Sequence, residues 1–508
     1  MRTENSLRNI SYSIIGQLIS NVLSFVNRTV FVYTIGISYL GITGLFSNIF
    51  ALLSLAELGV GTAISYSLYK PLAQKDVKKI SLLMQLYGKA YKWIGISIGA
   101  IGIALTPFLE YIIKDRPDIA HLEIYYLLML SSTVVSYFYS YKRTIILCDQ
   151  KAYIDSKNRY SFAIMQTLLQ IVVLIIFKSF ILYLAVATFC TALSNIFISR
   201  KADREYPFLK EKAEGSIDDE TRAEIKKNVL AMMFHKVSGV IVYSSDNVII
   251  SKFIGLSAVG LYSNYYMIIN IITTLLGQMF NAITASVANL NVLGSLEVKR
   301  DRFMSIYFVN FWIVTVCTTC LYILLDPFIT LWIGEEFLLD KLTVAVLCFY
   351  FFHQSMRHTV GVFKNSAGLY WNDRYKPLFE SAINLLASII LLKYFGIAGV
   401  FMGTIVSLMT TSFWVEPFIV YKHVLKLKFR NFLKMYLSYT VIFLGIIWGA
   451  SQICQIFNNG TVLNFIGMLL VALILPNLCL FILFFRTKRF KGALLFAKPI
   501  LKKLHIAK

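Results

Sequence analysis

Apolar stretches long enough to cross a bilayer recur along the whole chain and constrain its fold more than any other feature. A hydrocarbon core of about 30 Å needs about 20 apolar residues in a helix, and helices satisfy their own backbone polar groups there. The stretches lie at 9–35, 42–69, 81–109, 120–141, 160–177, 181–199, 229–254, 258–285, 303–325, 341–363, 377–395, 397–420, 433–453 and 462–485. The sequence therefore predicts an all-α integral membrane protein with about 14 transmembrane helices.

The distribution of basic residues predicts how these spans are oriented. If the N-terminus is inside and the spans alternate, 38 of the 49 Lys and Arg residues fall in cytoplasmic segments, six fall outside and five lie within spans. Cytoplasmic loops of membrane proteins carry such an excess. The net charge of +22 then indicates contact with anionic membrane lipids, not with nucleic acid. We expect both termini to be cytoplasmic.

One motif occurs twice, 219 positions apart, and indicates an internal repeat. Residues 35–42 read Ile-Gly-Ile-Ser-Tyr-Leu-Gly-Ile, and residues 254–261 read Ile-Gly-Leu-Ser-Ala-Val-Gly-Leu. Each copy separates two apolar stretches, and glycine accepts backbone angles that other residues resist. We therefore expect tight turns at Gly36, Gly41, Gly255 and Gly260. Such repeats in a membrane chain are typical of transporters.

The repeat predicts how the chain is organised. Six apolar stretches precede a long polar segment, and the first six of the eight that follow it form a second set. Because six is even, both sets enter the membrane in the same direction, as parallel repeats do. The predicted regions are an N-terminal six-helix lobe at 1–200, a cytoplasmic linker at 201–228, a C-terminal six-helix lobe at 229–430, two additional transmembrane helices at 431–485 and a basic cytoplasmic tail at 486–508.

Polar and ionisable residues inside the predicted spans are the candidate site residues, because such residues are rare in membranes. They are Asn27, Arg28, Glu57, Asp246, Asn247 and Arg357. A shift of 219 places Asn27 on Asp246 and Arg28 on Asn247, so the two pairs occupy equivalent depths and can face one cavity. The alternative stays open that Arg28 and Asp246 only pair to hold helices together, and that Glu57 only accompanies a helix bend or forms a buried hydrogen bond.

The sequence contains no motif for catalysis, nucleotide binding or metal binding. Walker, Ser-His-Asp, HExxH and paired-carboxylate patterns are all missing. The pair Cys317 and Cys320 has no His or second Cys pair nearby to complete a zinc site. The predicted external segments are also too short to hold a catalytic domain. We therefore expect a transporter that is not an enzyme and has no cofactor or metal. Its energy would come from an ion gradient, of H⁺ or Na⁺, or from the membrane potential.

Five segments resemble the polysaccharide transporter branch of the multidrug/oligosaccharidyl-lipid/polysaccharide exporters. They are Leu55–Ile64, Asp246–Gly255, Val259–Tyr265, Trp371–Pro377 and Gly396–Thr404, within a resemblance over about residues 5–430. This resemblance implies a two-lobe helical bundle that flips undecaprenyl-diphosphate-linked oligosaccharides across the bacterial plasma membrane. The glycans would become O-antigen, capsule or another exopolysaccharide, and a polysaccharide polymerase and glycosyltransferases would be partners.

A diphosphate substrate would need cations within the membrane, because an unpaired buried charge is very costly. Arginine binds phosphate oxygens with two parallel hydrogen bonds, so Arg28 is the first candidate and Arg357 the second. Two alternative functions stay open. An ion-coupled multidrug exporter of the same fold would favour acidic residues in the cavity, and a membrane-embedded polysaccharide polymerase would need a larger external region.

Overall fold

The chain is almost entirely helical in the part that a computed structural model describes. That part comprises residues 2–57, 60–112, 121–149, 151–211, 245–457 and 461–494, with scattered positions between 215 and 229. The α-helices are α1 (Arg2–Thr34), α2 (Ile37–Leu53), α3 (Val60–Gln74), α4 (Val77–Leu105), α5 (Leu109–Ile112), α6 (Leu122–Ser140), α7 (Arg143–Cys148), α8 (Ala152–Ile176), α9 (Phe180–Glu205), α10 (245–253), α11 (Leu256–Leu293), α12 (Leu296–Ile333), α13 (Lys341–Met356), α14 (His358–Ser366), α15 (Lys376–Thr410), α16 (Ser412–Ile419), α17 (Phe429–Cys454) and α18 (Val462–Phe484). These residues contain no β-strand.

The helices confirm the all-α membrane fold and follow the predicted apolar stretches. Eight helical segments of the described chain are long and apolar enough to cross a membrane on their own. Other stretches are divided within their length: α2 and α3 are separated by a 3-10 turn, and α13 and α14 by a break at Arg357. Most of the predicted span 229–254 lies outside the described residues, and α10 is its described part. The chain is a multi-pass membrane protein.

Gly396 separates the eleventh and twelfth predicted spans inside α15. Its backbone angles, φ 57° and ψ −133°, lie outside the helical range, at a positive φ that glycine adopts without strain. The two arms of α15 then run back along each other. The Asn384 amide donates to the Thr404 hydroxyl at 2.9 Å, and the Ser388 hydroxyl donates to the Val400 carbonyl at 2.9 Å. α15 is therefore a helical hairpin, as the break between the two stretches predicts.

The helices form two compact units, Met1–Gly260 and Leu261–Lys508. In the first unit, α1 packs on α8, α6 packs on α4 and α9, and α8 packs on α9. In the second unit, α12 packs on α13, α17 and α18. The rings of Phe352 and Phe443 stack 3.9 Å apart between α13 and α17. The two helices beyond the predicted repeat are therefore part of the second unit's core.

The predicted regional boundaries stay predictions. α9 continues to Glu205, into the predicted linker 201–228, and only scattered residues of the linker are described beyond 211. Within the predicted tail 486–508, residues 488–494 are helical, and the residues beyond 494 lie outside the described part.

Candidate functional site

A polar cavity of about 600 Å³ lies within the first unit, against α4, α6, α7, α8 and α9. Hydroxyl and amide side chains line much of it: Ser132, Thr133, Ser136 and Ser140 of α6, Gln166 of α8, and Thr191, Ser194 and Asn195 of α9. On α6 these positions recur about every four residues, so the helix presents one polar face to the cavity. A wall of this kind offers many hydrogen-bond donors and acceptors inside an otherwise apolar chain.

Two arginines add positive charge to this cavity. Arg143 begins the short α7, where the chain has turned after the end of α6, and its Nε lies 2.7 Å from Oδ1 of Asp155 on α8. Arg159 lies one turn further along α8, with its guanidinium carbon 4.8 Å from the centre of the Tyr160 ring. Both arginines line the cavity. Two guanidinium groups beside one carboxylate leave this part of the wall positive.

Glu57 supplies an acid to the same cavity. It ends the 3-10 turn Ser54–Glu57 and accepts a hydrogen bond from the Tyr91 hydroxyl, with 2.5 Å between the oxygens. A Cβ on Gly61 would lie 2.6 Å from that hydroxyl and 2.7 Å from Oε1 of Glu57. The glycine therefore leaves the space in which Glu57 and Tyr91 meet. Of the six polar candidates from the sequence, Glu57 is the one on this wall.

The predicted pairs on α1 and α10 lie elsewhere in the first unit. The Asn27 amide donates to the Tyr183 hydroxyl at 3.0 Å, and Arg28 follows it on α1. Asp246 and Asn247 lie at the start of α10, and all four side chains are half-buried. Among the described residues, none of the four lines the polar cavity. Their contact with a substrate therefore stays a prediction.

Arg357 lies in a buried ion network of the second unit. Its Nη2 is 3.1 Å from Oε1 of Glu416, and the same oxygen lies 2.7 Å from Lys376 and 3.4 Å from Lys364. Three cations and three anions make up the network: Arg357, Lys364, Lys376, Glu416, Asp373 and Glu380. The charges of the network therefore balance without a ligand.

The space next to this network is small. A void of about 10 Å³ is lined by Arg357, Glu416, His353 and Tyr436, and such a volume holds about one water molecule. Nδ1 of His353 lies 2.7 Å from the Tyr436 hydroxyl oxygen. In the conformation described, this part of the second unit is packed too tightly for a sugar or a phosphate.

The predicted turns before α2 and α11 are present and contact each other within the first unit. Gly36 has φ 101° and Gly255 has φ 138°, backbone conformations that favour glycine. Two residues further along each turn, the hydroxyl oxygens of Ser38 and Ser257 lie 3.3 Å apart. Ser38 and Ser257 are equivalent under the offset of 219 positions.

The second glycine of each motif lies inside a helix, Gly41 in α2 and Gly260 in α11, so the expectation of a turn at these two positions is wrong. Each of these glycines instead allows a close backbone approach. A Cβ on Gly41 would lie 2.1 Å from the carbonyl oxygen of Leu256, and a Cβ on Gly260 would lie 2.5 Å from the carbonyl oxygen of Ile37. Ile37 and Leu256 are also 219 positions apart. The contact is therefore self-complementary, with equivalent residues exchanging the same interactions, as across a two-fold axis.

Arg143 and Arg159 are the functional candidates that the sequence analysis missed. Both lie between the predicted spans 120–141 and 160–177, in a segment that the Lys and Arg distribution predicts to be cytoplasmic. The spacing of Ser132, Ser136 and Ser140 on one face of a predicted span is the signal that points to them, because a polar face in a membrane helix indicates a cavity.

Comparison with known proteins gives a family and a fold. The family model described as polysaccharide biosynthesis protein matches residues 6–284. No curated protein gives a significant match to the sequence.

The fold is that of several transporters of solved structure. A lipid II flippase, MurJ, in an inward closed conformation is similar with a TM-score of 0.65 at 12% identity, over 94% of this chain and 99% of that one. A MATE family multidrug resistance transporter in an inward-facing conformation gives 0.61 at 14% identity, over 78% and 95%. A Vibrio cholerae MATE transporter gives 0.57 at 13% identity, over 84% and 99%. At these identities the likeness shows the fold alone.

Proposed function

Because this chain belongs to the polysaccharide biosynthesis protein family, we propose that it is a flippase for lipid-linked oligosaccharides. Its substrate would be an undecaprenyl-diphosphate-linked repeat unit, carried across the bacterial plasma membrane by alternating access. The glycan would serve O-antigen, capsule or exopolysaccharide synthesis. The chain itself catalyses no reaction in this proposal, and a polysaccharide polymerase and glycosyltransferases act on the glycan before or after it crosses.

The chemistry of the polar cavity is the observation that carries this proposal. Sugars present many hydroxyl groups, and the hydroxyl and amide side chains of α6, α8 and α9 can exchange hydrogen bonds with them. A diphosphate needs cations, and Arg143 and Arg159 lie on the same wall. Hydrogen bonds between guanidinium and phosphate are charge-assisted and geometrically matched. One cavity therefore offers groups for both parts of the substrate.

The depth of the cavity suits a substrate that enters from the cytoplasmic leaflet. Arg143 lies just after the predicted span 120–141, and Arg159 lies just before the predicted span 160–177. The Lys and Arg distribution predicts that these two ends face the cytoplasm. From Ser140 to Ser132, the polar face of α6 continues for about 12 Å along the helix, at 1.5 Å per residue. The arginines can hold the diphosphate near the membrane surface while the sugars extend inward along this face.

Arg28 and Arg357, the two arginines that the sequence predicts to bind phosphate, are assigned to later steps of the proposed cycle. Arg28 lies within α1, and we assign it to a phosphate contact in a conformation different from the one described. Arg357 is the second proposed phosphate ligand, and its release would not leave Glu416 unpaired, because Lys364 and Lys376 also contact that carboxylate. The Glu57 carboxylate, held by Tyr91, is the proposed site for a coupling H⁺ or Na⁺.

A multidrug exporter is the second candidate function, and one observation favours it. Glu57 lies on the wall of the cavity, where a carboxylate can attract a cationic drug. Arg143 and Arg159 line the same cavity and repel such a drug. For this reason the anionic, sugar-bearing substrate is preferred.

Flipping of a fluorescent lipid-linked oligosaccharide by the purified protein in liposomes tests the proposal. Arg159→Gln should slow flipping by about 10- to 100-fold, because one charge-assisted hydrogen bond to phosphate is lost. Arg486→Gln is the matched control, since that guanidinium also rests on an aromatic ring, Phe485, but does not line the cavity.

Three results would contradict the proposal. The wild-type protein could fail to move the glycolipid, Arg159→Gln could move it at the normal rate, or both arginine variants could be equally slow. Export of a cationic dye that depends on Glu57, without glycolipid movement, would instead support the multidrug exporter.

A further inference from the structure

A second cavity in the first unit, of about 360 Å³, lies beside the first half of α4. The face of α4 in this groove carries four polar side chains at positions i, i+4, i+8 and i+11: Ser81, Gln85, Lys89 and Lys92. This spacing places them along one stripe of the helix. Leu209 and Glu211, which follow α9, lie across the groove from this stripe. None of these residues belongs to the polar cavity of the proposed flippase.

The groove carries an excess of positive charge. Lys142 also lines it, but both carboxylate oxygens of Asp203 lie 2.7 Å from the Lys142 ammonium group, so this pair is neutral. Lys89 and Lys92 are exposed, and among the described residues no carboxylate contacts either of them. With Glu211 on the opposite wall, two free ammonium groups and one carboxylate remain. This balance suits a ligand with a single negative charge.

The groove lies at the edge of the membrane, not in its centre. The segment Val77–Phe108 has 32 residues and a length of about 48 Å, about 18 Å more than the hydrocarbon core. Residues 94–105 contain no ionisable side chain, so the excess length belongs to the first turns of α4. Trp93 is 71% exposed, and tryptophan favours the boundary between lipid and water. Lys89 and Lys92 therefore lie at that boundary, on the side predicted to be cytoplasmic.

We propose that this groove binds the headgroup of an anionic phospholipid from the cytoplasmic leaflet. The Lys89 and Lys92 ammonium groups contact the phosphodiester oxygens, and Ser81 and Gln85 exchange hydrogen bonds with the rest of the headgroup. The acyl chains leave the groove beside Trp93 and enter the bilayer. Anionic lipids are attracted to lysines at the cytoplasmic surface, and this groove gives that attraction a defined site. The proposal does not depend on which substrate the polar cavity carries.

Quenching of tryptophan fluorescence by brominated lipids tests the site in the full-length protein in nanodiscs. Brominated phosphatidylglycerol, with one negative charge, is compared with brominated phosphatidylcholine, which has no net charge. The contribution of Trp93 is obtained from the difference between each protein and its Trp93→Phe version. Wild-type protein should prefer phosphatidylglycerol, and the double variant Lys89→Gln/Lys92→Gln should lower the preference by about 30-fold.

Two control proteins separate the site from general charge and from misfolding. Lys341→Gln/Lys393→Gln removes two exposed lysines that the sequence places outside, and it should keep the preference. Lys89→Arg/Lys92→Arg keeps both charges and should keep the preference as well. Elution from a size-exclusion column confirms that each variant is folded before its lipid binding is compared.

Any of three outcomes would overturn the proposal. The first is an equal response of Trp93 to both lipids in the wild-type protein, and the second is an unchanged preference in Lys89→Gln/Lys92→Gln. The third is displacement of phosphatidylglycerol by a polyprenyl diphosphate at equal or lower concentration, which would assign the groove to the transported lipid. Weak displacement by the diphosphate supports the phospholipid site.

Discussion

Alanine in place of Gly41 should separate the two turns that begin at Gly36 and Gly255. Its Cβ would lie 2.1 Å from the carbonyl oxygen of Leu256, well inside the normal separation of non-bonded atoms. The oxygen belongs to the backbone, so no side-chain rotation relieves the clash, and overpacking of this kind costs about 1–3 kcal/mol. A cost of about 2 kcal/mol shifts the equilibrium about 30-fold away from the contact.

The reactivity of a cysteine at position 256 measures this shift. Leu256 is 3% exposed beside the contact, so Leu256→Cys should react with a membrane-impermeant maleimide mainly while the turns are apart. Gly41→Ala should raise the labelling rate at this position about 30-fold. Gly260→Ala should act similarly, because its Cβ would lie 2.5 Å from the Ile37 carbonyl oxygen. Mass spectrometry of the labelled peptide keeps the native cysteines from interfering.

Gly277→Ala is the matched control for this experiment. It lies in α11, and no described atom outside the local helix backbone lies within 4 Å of a Cβ placed there. Alanine in a helix is favoured over glycine by about 0.5–1 kcal/mol, so this variant should keep the wild-type labelling rate. Equal rates in Gly41→Ala and Gly277→Ala would refute the reasoning, because the contact would then accept a methyl group without opening.

Arg28→Ala should abolish glycan export at a matched protein level. Arg28→Lys should restore only part of the export, because lysine lacks the two-pronged geometry with which arginine binds phosphate. Normal surface glycan in Arg28→Ala cells would show that Arg28 has a structural role only. Glu416→Gln should lower stability by about 3–5 kcal/mol, because buried cations lose their shared counter-charge. The thermal unfolding of Glu416→Gln is compared with that of Glu335→Gln, which changes an exposed carboxylate. Equal unfolding temperatures of the two variants would contradict the expected loss of stability. A cysteine at 335 should be labelled from outside and one at 215 should not, and the reverse would reject the predicted topology.

The membrane fold could be predicted from the sequence because its main constraint is local. A helix that crosses a hydrocarbon core needs only a sufficient apolar length, which can be counted along the chain. The hairpin in α15 shows how far this extends: the apolar run is broken at Gly396, and the chain reverses there. The break of α13 at Arg357 was not predicted, because it lies inside one predicted span, 341–363, and no proline or glycine stands next to it.

The candidate site was harder to predict because its partners are distant in sequence. Glu57 was found as a lone acid in an apolar stretch, but its partner Tyr91 lies 34 positions away. Arg357 was assigned to a phosphate because Glu416, 59 positions later, gave no sign of pairing with it. Arg159 was overlooked because a basic residue near the end of a span normally reports orientation. Charge alone does not show whether such a residue faces lipid, water or a cavity.

Buried charge is arranged differently in the two units. In the second unit, Glu416 contacts three cations and the void beside it is about 10 Å³, so neither free charge nor space for a ligand is left beside this network. In the first unit, the cavity is about 60 times larger, from 600 against 10 Å³, and Arg159 rests on a tyrosine ring. Helix lengths and turns depend on apolar pattern and glycine, but single polar residues decide where an ion can bind. In the conformation described, the polar cavity of the first unit combines room with two arginine side chains, and the proposed diphosphate-bearing glycan should therefore make its first contacts there.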